Sequence, residues 1–314
     1  MKLRAVAILG AAALACGHAH ANDTTAMLSA GGLVFTRSDS VSMLSEDLFL
    51  SQQEVRVRYR FLNRSGKDVQ TRVAFPLPDM GGPGFFDGDV AIPVENDDNF
   101  LGFSTRVDGA QVRTEIEQKA MARGVDRADW LRRNDIPLAP HRAVDAIGSL
   151  PEGLRAEAVR LGLADENLYP AWTLKTAYHW VQTFPAGRPV VIEHRYAPSV
   201  GATAGTQLGS SWGSETQRRY CVGADIQRTL RRSTGANDGS PPYSERWLDY
   251  ILVTGANWKD PIGEFRLVVD KGSPRNLVSF CGTGVKKIGA TRFEMRRRNW
   301  RPDRDISILL LVPY

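Results

Sequence analysis

The sequence predicts a mainly β protein: an antiparallel β-sandwich architecture (one large or two packed sandwiches) with a helical insertion at about 117–172. Three observations lead there. The stretch "VRVRYRFLN" alternates strictly, with Val55, Val57, Tyr59 and Phe61 on one face and Arg56, Arg58 and Arg60 on the other. That period of two belongs to a strand with one buried face. Towards the C-terminus, "RWLDYILVTG", "EFRLVVD", "NLVSFC", "TRFEMR" and "DISILLLVPY" are short strand candidates punctuated by Gly, Pro and Asp, the spacing of a sandwich. Between these two regions the texture changes to helix formers.

The chain opens on "MKLRAVAILGAAALACGHAHAND". Lys2 and Arg4 supply a basic start, Ala5 to Ala15 an apolar run too short to span a bilayer, and Ala19-His20-Ala21 an A-x-A cleavage pattern. Residues 1–21 therefore read as a secretory signal peptide cut after Ala21, with a periplasmic or secreted product. A rival reading makes Cys16 a lipid-attachment cysteine, but Ala13 stands where such leaders carry Leu.

The N-terminal β region then covers 22–116. The turn "NRSGKD" leads from "VRVRYRFLN" into "VQTRVAF", which predicts an antiparallel hairpin. After the Pro/Gly-rich "PLPDMGGPGFFDGD", a second hairpin is expected around Asp108-Gly109, a dipeptide suited to a two-residue turn. Within 117–172, "EQKAMARGVDRADWLRRND" reads as helix broken at Gly124. "SLPEGLRAEAVRLGLA" carries a capping box of Ser149 and Glu152 with Pro151 near the start, and Leu154, Val159 and Leu161 can line one face. The C-terminal β region, 173–314, begins with two extended runs around "PAGR", then a Gly-, Ser- and Thr-rich loop at about 199–216. The terminal "ISILLLV" is too short for a membrane helix and reads as a buried strand, so no transmembrane segment is expected after the leader.

Several long segments carry a family resemblance: "NDTTAMLSAGGLVFTRSDSVSMLSEDLFLS", "VRVRYRFLNRSGKDVQTRVAFPLPD", "HRYAPSVG" and "GANWKDPIGEFRLVVDKGSPRNLVSFCG". The sequence resembles the secreted bacterial family catalogued as domain of unknown function 4424, over essentially the whole chain after the leader. The resemblance implies an exported protein of this architecture and brings no catalytic residues with it. A weaker likeness, in the order "AFPLP", "FSTRVDGAQVRTEIEQKAMA", "FPAGRPVVIEHRY", is to the vault-protein inter-alpha-trypsin domain, which implies a β-sandwich. The helical insertion departs from that likeness, and no adhesion module with a metal motif follows.

The formal charge is +5, of which Lys2 and Arg4 contribute two charges that leave with the signal. "RTLRR" and "MRRRNWR" read first as solvated faces, and nucleic acid is not an expected partner outside the cytoplasm. Cys221 and Cys281 remain after Cys16 is removed, an even pair in an oxidising compartment, so a disulfide is expected.

Candidate sites follow from residue type. "GSSWG" at 209–213 fits the G-x-S-x-G nucleophile pattern, but Ser211 lies in a polar loop and His141, His179 and His194 all precede it, against the hydrolase order. Ser211 is read as a loop serine and no catalytic residue is assigned. If "PAGR" is a four-residue hairpin loop, His179 faces His194, and two neutral imidazoles could hold copper or zinc. The bland alternative is two strand histidines with ordinary hydrogen bonds. Asp87, Asp89, Glu95, Asp97 and Asp98 form an oxygen-rich stretch of the kind that takes calcium, although the spacing is not that of an EF-hand and a solvated acidic loop is the plainer reading. Phe85 and Phe86, between glycines and acids, are either a partner-contact loop or rings folded back onto the core. The function expected from all this is a non-catalytic binding or interaction module of the cell envelope, with an envelope protein or glycan as partner and no cofactor beyond that divalent metal. An envelope hydrolase and a metal- or small-ligand-binding protein are the alternatives.

Overall fold

In the computed structural model the described residues are 22–29, 32–83, 85–206, 208, 213–233 and 241–314. The alternating segments become strands, and the strands assemble into three sheets. An eight-stranded sheet runs in the order Lys286–Lys287, Arg292–Trp300, Ile262–Asp270, Val41–Leu50, Val55–Asn63, Pro189–Tyr196, Ser104–Val107, Ala110–Val112. Its pairs are antiparallel except that of Val41–Leu50 with Ile262–Asp270. A seven-stranded sheet is built on the long strand Thr173–Phe184, flanked by Glu115–Ala122 and Val69–Pro76. The third, of five strands, centres on Tyr243–Tyr250 and Ile306–Pro313.

The inward faces of all three sheets meet in one apolar core. Val57, Tyr59 and Phe61 come from the first, Val73, Phe75 and Trp180 from the second, and Leu248, Tyr250, Ile308 and Leu310 from the third. The alternation of Val55–Asn63 is reproduced residue by residue, with its valines and aromatics buried and its arginines exposed. The "ISILLLV" run is a buried strand, as expected. Asp108 and Gly109 both take positive φ (47° and 83°) and close the hairpin between Ser104–Val107 and Ala110–Val112. That is the left-handed geometry a two-residue turn requires.

The other two expected hairpins do not form. Val55–Asn63 and Val69–Pro76 lie in different sheets, and so do Thr173–Phe184 and Pro189–Tyr196. Both connections are corners at which the chain changes sheet, and they are tied to each other. Asn63 Nδ2 donates to Phe184 O and Lys67 O, both at 2.8 Å, and the Gly187 amide donates to Asn63 O at 3.0 Å. Alternation assigns a side chain to a face, but not a strand to a neighbour.

Further differences concern helix. Residues 115–122 form a strand paired along Thr173–Phe184, with Ala120 and Ala122 buried. Sheet pairing outweighs the modest helix propensity of this stretch. Among the described residues the α-helices begin at Ala128–Arg133 and continue at Val144–Gly148 and Glu152–Leu161, around a small core that includes Trp130, Ile147 and Trp172. No capping box forms: Ser149 ends the second helix and Pro151 precedes the third without a side-chain cap. After the Gly-, Ser- and Thr-rich stretch two further helices, Gly213–Arg219 and Ala224–Ser233, pack Tyr220, Val222 and Leu230 against Leu309 and Leu311. The Cys221–Cys281 disulfide joins this helical pair to the sheet across a sequence separation of 60 residues. A closure of that length stabilises by about 4 kcal/mol in chain-entropy terms.

Candidate functional site

The arginines of Val55–Asn63 do not stand alone. Register carries charged residues across six strands of the outer face: Arg296, Arg266, Asp47, Arg58, Glu193 and Arg106 are successive cross-strand neighbours. In the adjacent row Val268, Phe49, Arg56, Arg195 and Ser104 follow one another in the same way. Between them lies a groove of about 650 Å³, with six arginines (Arg56, Arg58, Arg106, Arg195, Arg266, Arg292) against two carboxylates (Asp47, Glu193). Its floor carries an aromatic ring. The guanidinium of Arg56 lies 4.6 Å from the Phe49 centroid and that of Arg292 lies 5.8 Å from it.

Part of this charge is internally matched. Arg58 Nε meets Glu193 at 3.2 Å, Arg266 meets Asp47 at 3.1 Å and Glu294 at 2.7 Å, Arg56 meets Glu54 at 2.7 Å, Arg195 also meets Glu54, and Arg292 meets Asp270 at 2.9 Å. Hydrogen bonds from Arg296 and Arg266 bring the Glu294 carboxyl down to about 2. Arg106 is exposed and has no carboxylate within ion-pair distance among the described residues. The result is a guanidinium-lined groove in which Arg106 is the one arginine of the six without a carboxylate partner among the described residues. Guanidinium forks suit carboxylate and phosphate oxygens, and an aromatic face suits a flat apolar patch.

The inner face of the same sheet holds a second polar group, fully enclosed. His194 Nε2 donates to Asp23 Oδ1 at 3.0 Å, and Thr105 Oγ1 lies 3.0 Å from its Nδ1. Neither the His194 nor the Asp23 side chain has solvent exposure. The imidazole is packed among Phe75, Phe103, Trp180 and Tyr59. Beside it, Asn22 Nδ2 donates to Glu46 Oε2 at 3.1 Å, the Tyr250 hydroxyl approaches Glu46 Oε1 at 3.5 Å, and Tyr59 and Tyr250 hydroxyls are 2.9 Å apart. Burial pushes the Glu46 carboxyl up to about 8, with Asn22 opposing and Asp23 adding to the rise. Burial also raises Asp23, against the pull of His194. These groups are closed off from solvent, so they bear on stability.

The histidines are therefore not a pair. His179 stands opposite Ala74 and Glu115 in the seven-stranded sheet, while His194 stands opposite Val57 and Thr105 in the eight-stranded one. Arg72 Nη1 donates to His179 Nδ1 at 2.8 Å, which engages the lone pair there. Burial, then the Arg72 charge, lowers the His179 pKa. Among the described residues no three His, Cys, Asp or Glu side chains converge as a metal-holding group.

The acidic residues are spread out. Asp87 ends the 3₁₀ turn Phe85–Asp87 and Asp89 begins the strand Asp89–Ala91. Glu95 is exposed, Asp97 accepts from the Asn99 amide at 2.8 Å, and Asp98 pairs with Arg142 at 3.2 Å. Phe85 packs against the main core, and Phe86 lies 5.5 Å from the Tyr169 ring, so both half-buried rings have partners within the chain. Ser211 and most of "GSSWG" lie outside the described residues. No helix of the described residues is long and apolar enough to cross a membrane.

The family profile described as "Domain of unknown function (DUF4424)" matches residues 21–309. The chain belongs to the DUF4424 family. No curated protein matches this DUF4424 chain. Among solved structures it is similar to a Legionella pneumophila protein provisionally described as a nutrient binding protein. The two share 19% identity and a TM-score of 0.50, over 93% of this chain and 70% of that one. At that identity the likeness speaks for the fold alone.

Proposed function

We propose that this DUF4424 chain is exported to the bacterial envelope and acts there as a non-catalytic binding module. Its ligand is an anionic envelope glycan, a sugar polymer bearing carboxylate or phosphate groups, laid along the groove on the outer face of the eight-stranded sheet. The observation that carries this reading is the line of six arginines along one groove, of which Arg106 is exposed and has no carboxylate partner among the described residues. Guanidinium groups recognise the acidic substituents of the glycan. Export is supported by the leader-like composition of residues 1–21 and by the Cys221–Cys281 bond, which persists in oxidising compartments. The provisional description of the Legionella protein as nutrient binding agrees with a binding role.

Calorimetric titration with a phosphate-bearing oligosaccharide and with its neutral counterpart tests the reading. The anionic sugar is expected to bind, and to bind more weakly as salt rises, because exposed charge attraction is screened within a Debye length of about 8–10 Å. Equal affinity for the neutral sugar, or no binding of either, rejects it.

A further inference from the structure

The enclosed cluster on the inner face holds more acidic than basic groups. Two buried carboxylates, Asp23 and Glu46, face one imidazole, His194, with the hydroxyls of Tyr59 and Tyr250 as the remaining titratable neighbours. Two oxygens in it, Asp23 Oδ2 and Asn22 Oδ1, are buried and without a partner. An isolated buried carboxylate is costly, and native folds supply a cation or a proton donor to it.

The cluster is also built around one particular residue. Asn22 has no solvent exposure. Its side chain donates to Glu46, and its carbonyl accepts from Thr254 Oγ1 at 2.8 Å. The next carbonyl, of Asp23, accepts from Trp258 Nε1 at 2.7 Å. At position 255 a Cβ would come within 2.6 Å of Asn22 Nδ2, so only glycine leaves the socket open. Asn22 is the residue that follows the A-x-A pattern ending at Ala21.

We propose that this socket is a binding site for an α-ammonium group, that of Asn22 itself, created when the Ala21–Asn22 peptide bond is hydrolysed. The proposal rests on the export reading above. An envelope peptidase that cuts after A-x-A adds water across the bond. The carbonyl carbon of Ala21 takes the hydroxyl and leaves as a carboxylate, and the nitrogen of Asn22 takes the protons and becomes an ammonium. An amide with one N–H is replaced by a cation with three. That cation belongs to the residue whose side chain already meets Glu46, whose own Oδ1 is unpartnered, and whose next neighbour is Asp23. Burial raises both Glu46 and Asp23, against the pull of His194 on Asp23, and a cation beside them would oppose that rise. Cleavage thus supplies the core with a cation, and the uncleaved chain folds with Glu46 held protonated up to about pH 8.

Two chains test this: one released from a cleavable fusion so that it begins at Asn22, and one beginning at Ala19, each also made as Glu46→Gln. Thermal unfolding and the rate of α-amine acylation by an amine-specific reagent are the readouts. The chain beginning at Asn22 is expected to melt several degrees higher than the extended one, and Glu46→Gln should shrink that gap. Its α-amine should react about tenfold slower than that of an unstructured peptide of the same start, because reaction waits on local opening. Equal midpoints, a gap that Glu46→Gln leaves intact, or an α-amine as reactive as the peptide's would each overturn the socket. N-terminal sequencing of the protein recovered from the envelope separates this from the export reading. A start at Asn22 supports both. Unprocessed chain fails the export reading and overturns the inference with it. A processed start elsewhere keeps export and overturns the inference alone.

Discussion

The two faces of the eight-stranded sheet hold charged side chains under opposite conditions. On the outer face, Arg58 and Glu193 are about half exposed, with side-chain accessibilities of 54% and 41%. Water screens them, and each such pair contributes at most about 1 kcal/mol. On the inner face Asp23 and His194 have no exposure at all. There a lost partner leaves an uncompensated charge in a low-dielectric interior. The same strands carry both: Glu193 points out and His194 in, Asp47 out and Glu46 in. The contrast separates groups free to serve a ligand from groups committed to the fold, and it can be broken at several points.

The largest expected effect is on pH dependence. Glu46 is raised from an ordinary 4.5 to about 8. A carboxyl raised on folding stabilises fully below its ordinary value, and that contribution is lost as pH rises through the folded value. For a chain extended by Ala19–Ala21, denaturant unfolding should therefore show stability falling between about pH 4.5 and 8, by as much as about 5 kcal/mol from this group. Glu46→Gln should flatten the slope, and the chain beginning at Asn22 should show a shallower one. A stability that rises across this window in the extended chain would contradict the assignment.

Next in size is His194→Ala, which strands Asp23. It should cost about 3–5 kcal/mol in urea unfolding. A loss below about 1 kcal/mol, the ceiling for exposed pairs, would mean that the inner face behaves like the outer one.

Smaller still, a double-mutant cycle on Arg58 and Glu193 should give a coupling energy of about 0.2–1 kcal/mol, decreasing with salt. A coupling of several kcal/mol would show that the outer ladder is structural.

How far the sequence reveals this division can be followed along single strands. The alternation of Val55–Asn63 made its two faces legible, arginines included, and the Asp108–Gly109 turn and the Cys221–Cys281 bond were legible from residue chemistry. The groove was not, because its other arginines come from strands whose neighbours are set by the corners at Asn63 and Ala186. The same corners defeated the pairing of His179 with His194. The buried cluster did leave a trace. Glu46 shares a face with Leu48 and Leu50, and His194 with Val190, Ile192 and Tyr196. An ionisable residue at an inward position of an alternating strand announces a buried partner, but the partner, Asp23, lies 171 residues away from His194 and could not be named in advance.

The central claim is that the outer face binds anions while the inner face holds the fold. Its most direct test is the double variant Arg58→Ala with Arg106→Ala, measured for affinity to the phosphate-bearing oligosaccharide and for thermal midpoint on the same preparation. Affinity should fall by about tenfold or more, since two charge-assisted contacts are removed. The midpoint should stay within a few degrees of the parent, as expected for exposed substitutions. An unchanged affinity would contradict the account, and so would a loss of affinity that appears only together with a large drop in the midpoint.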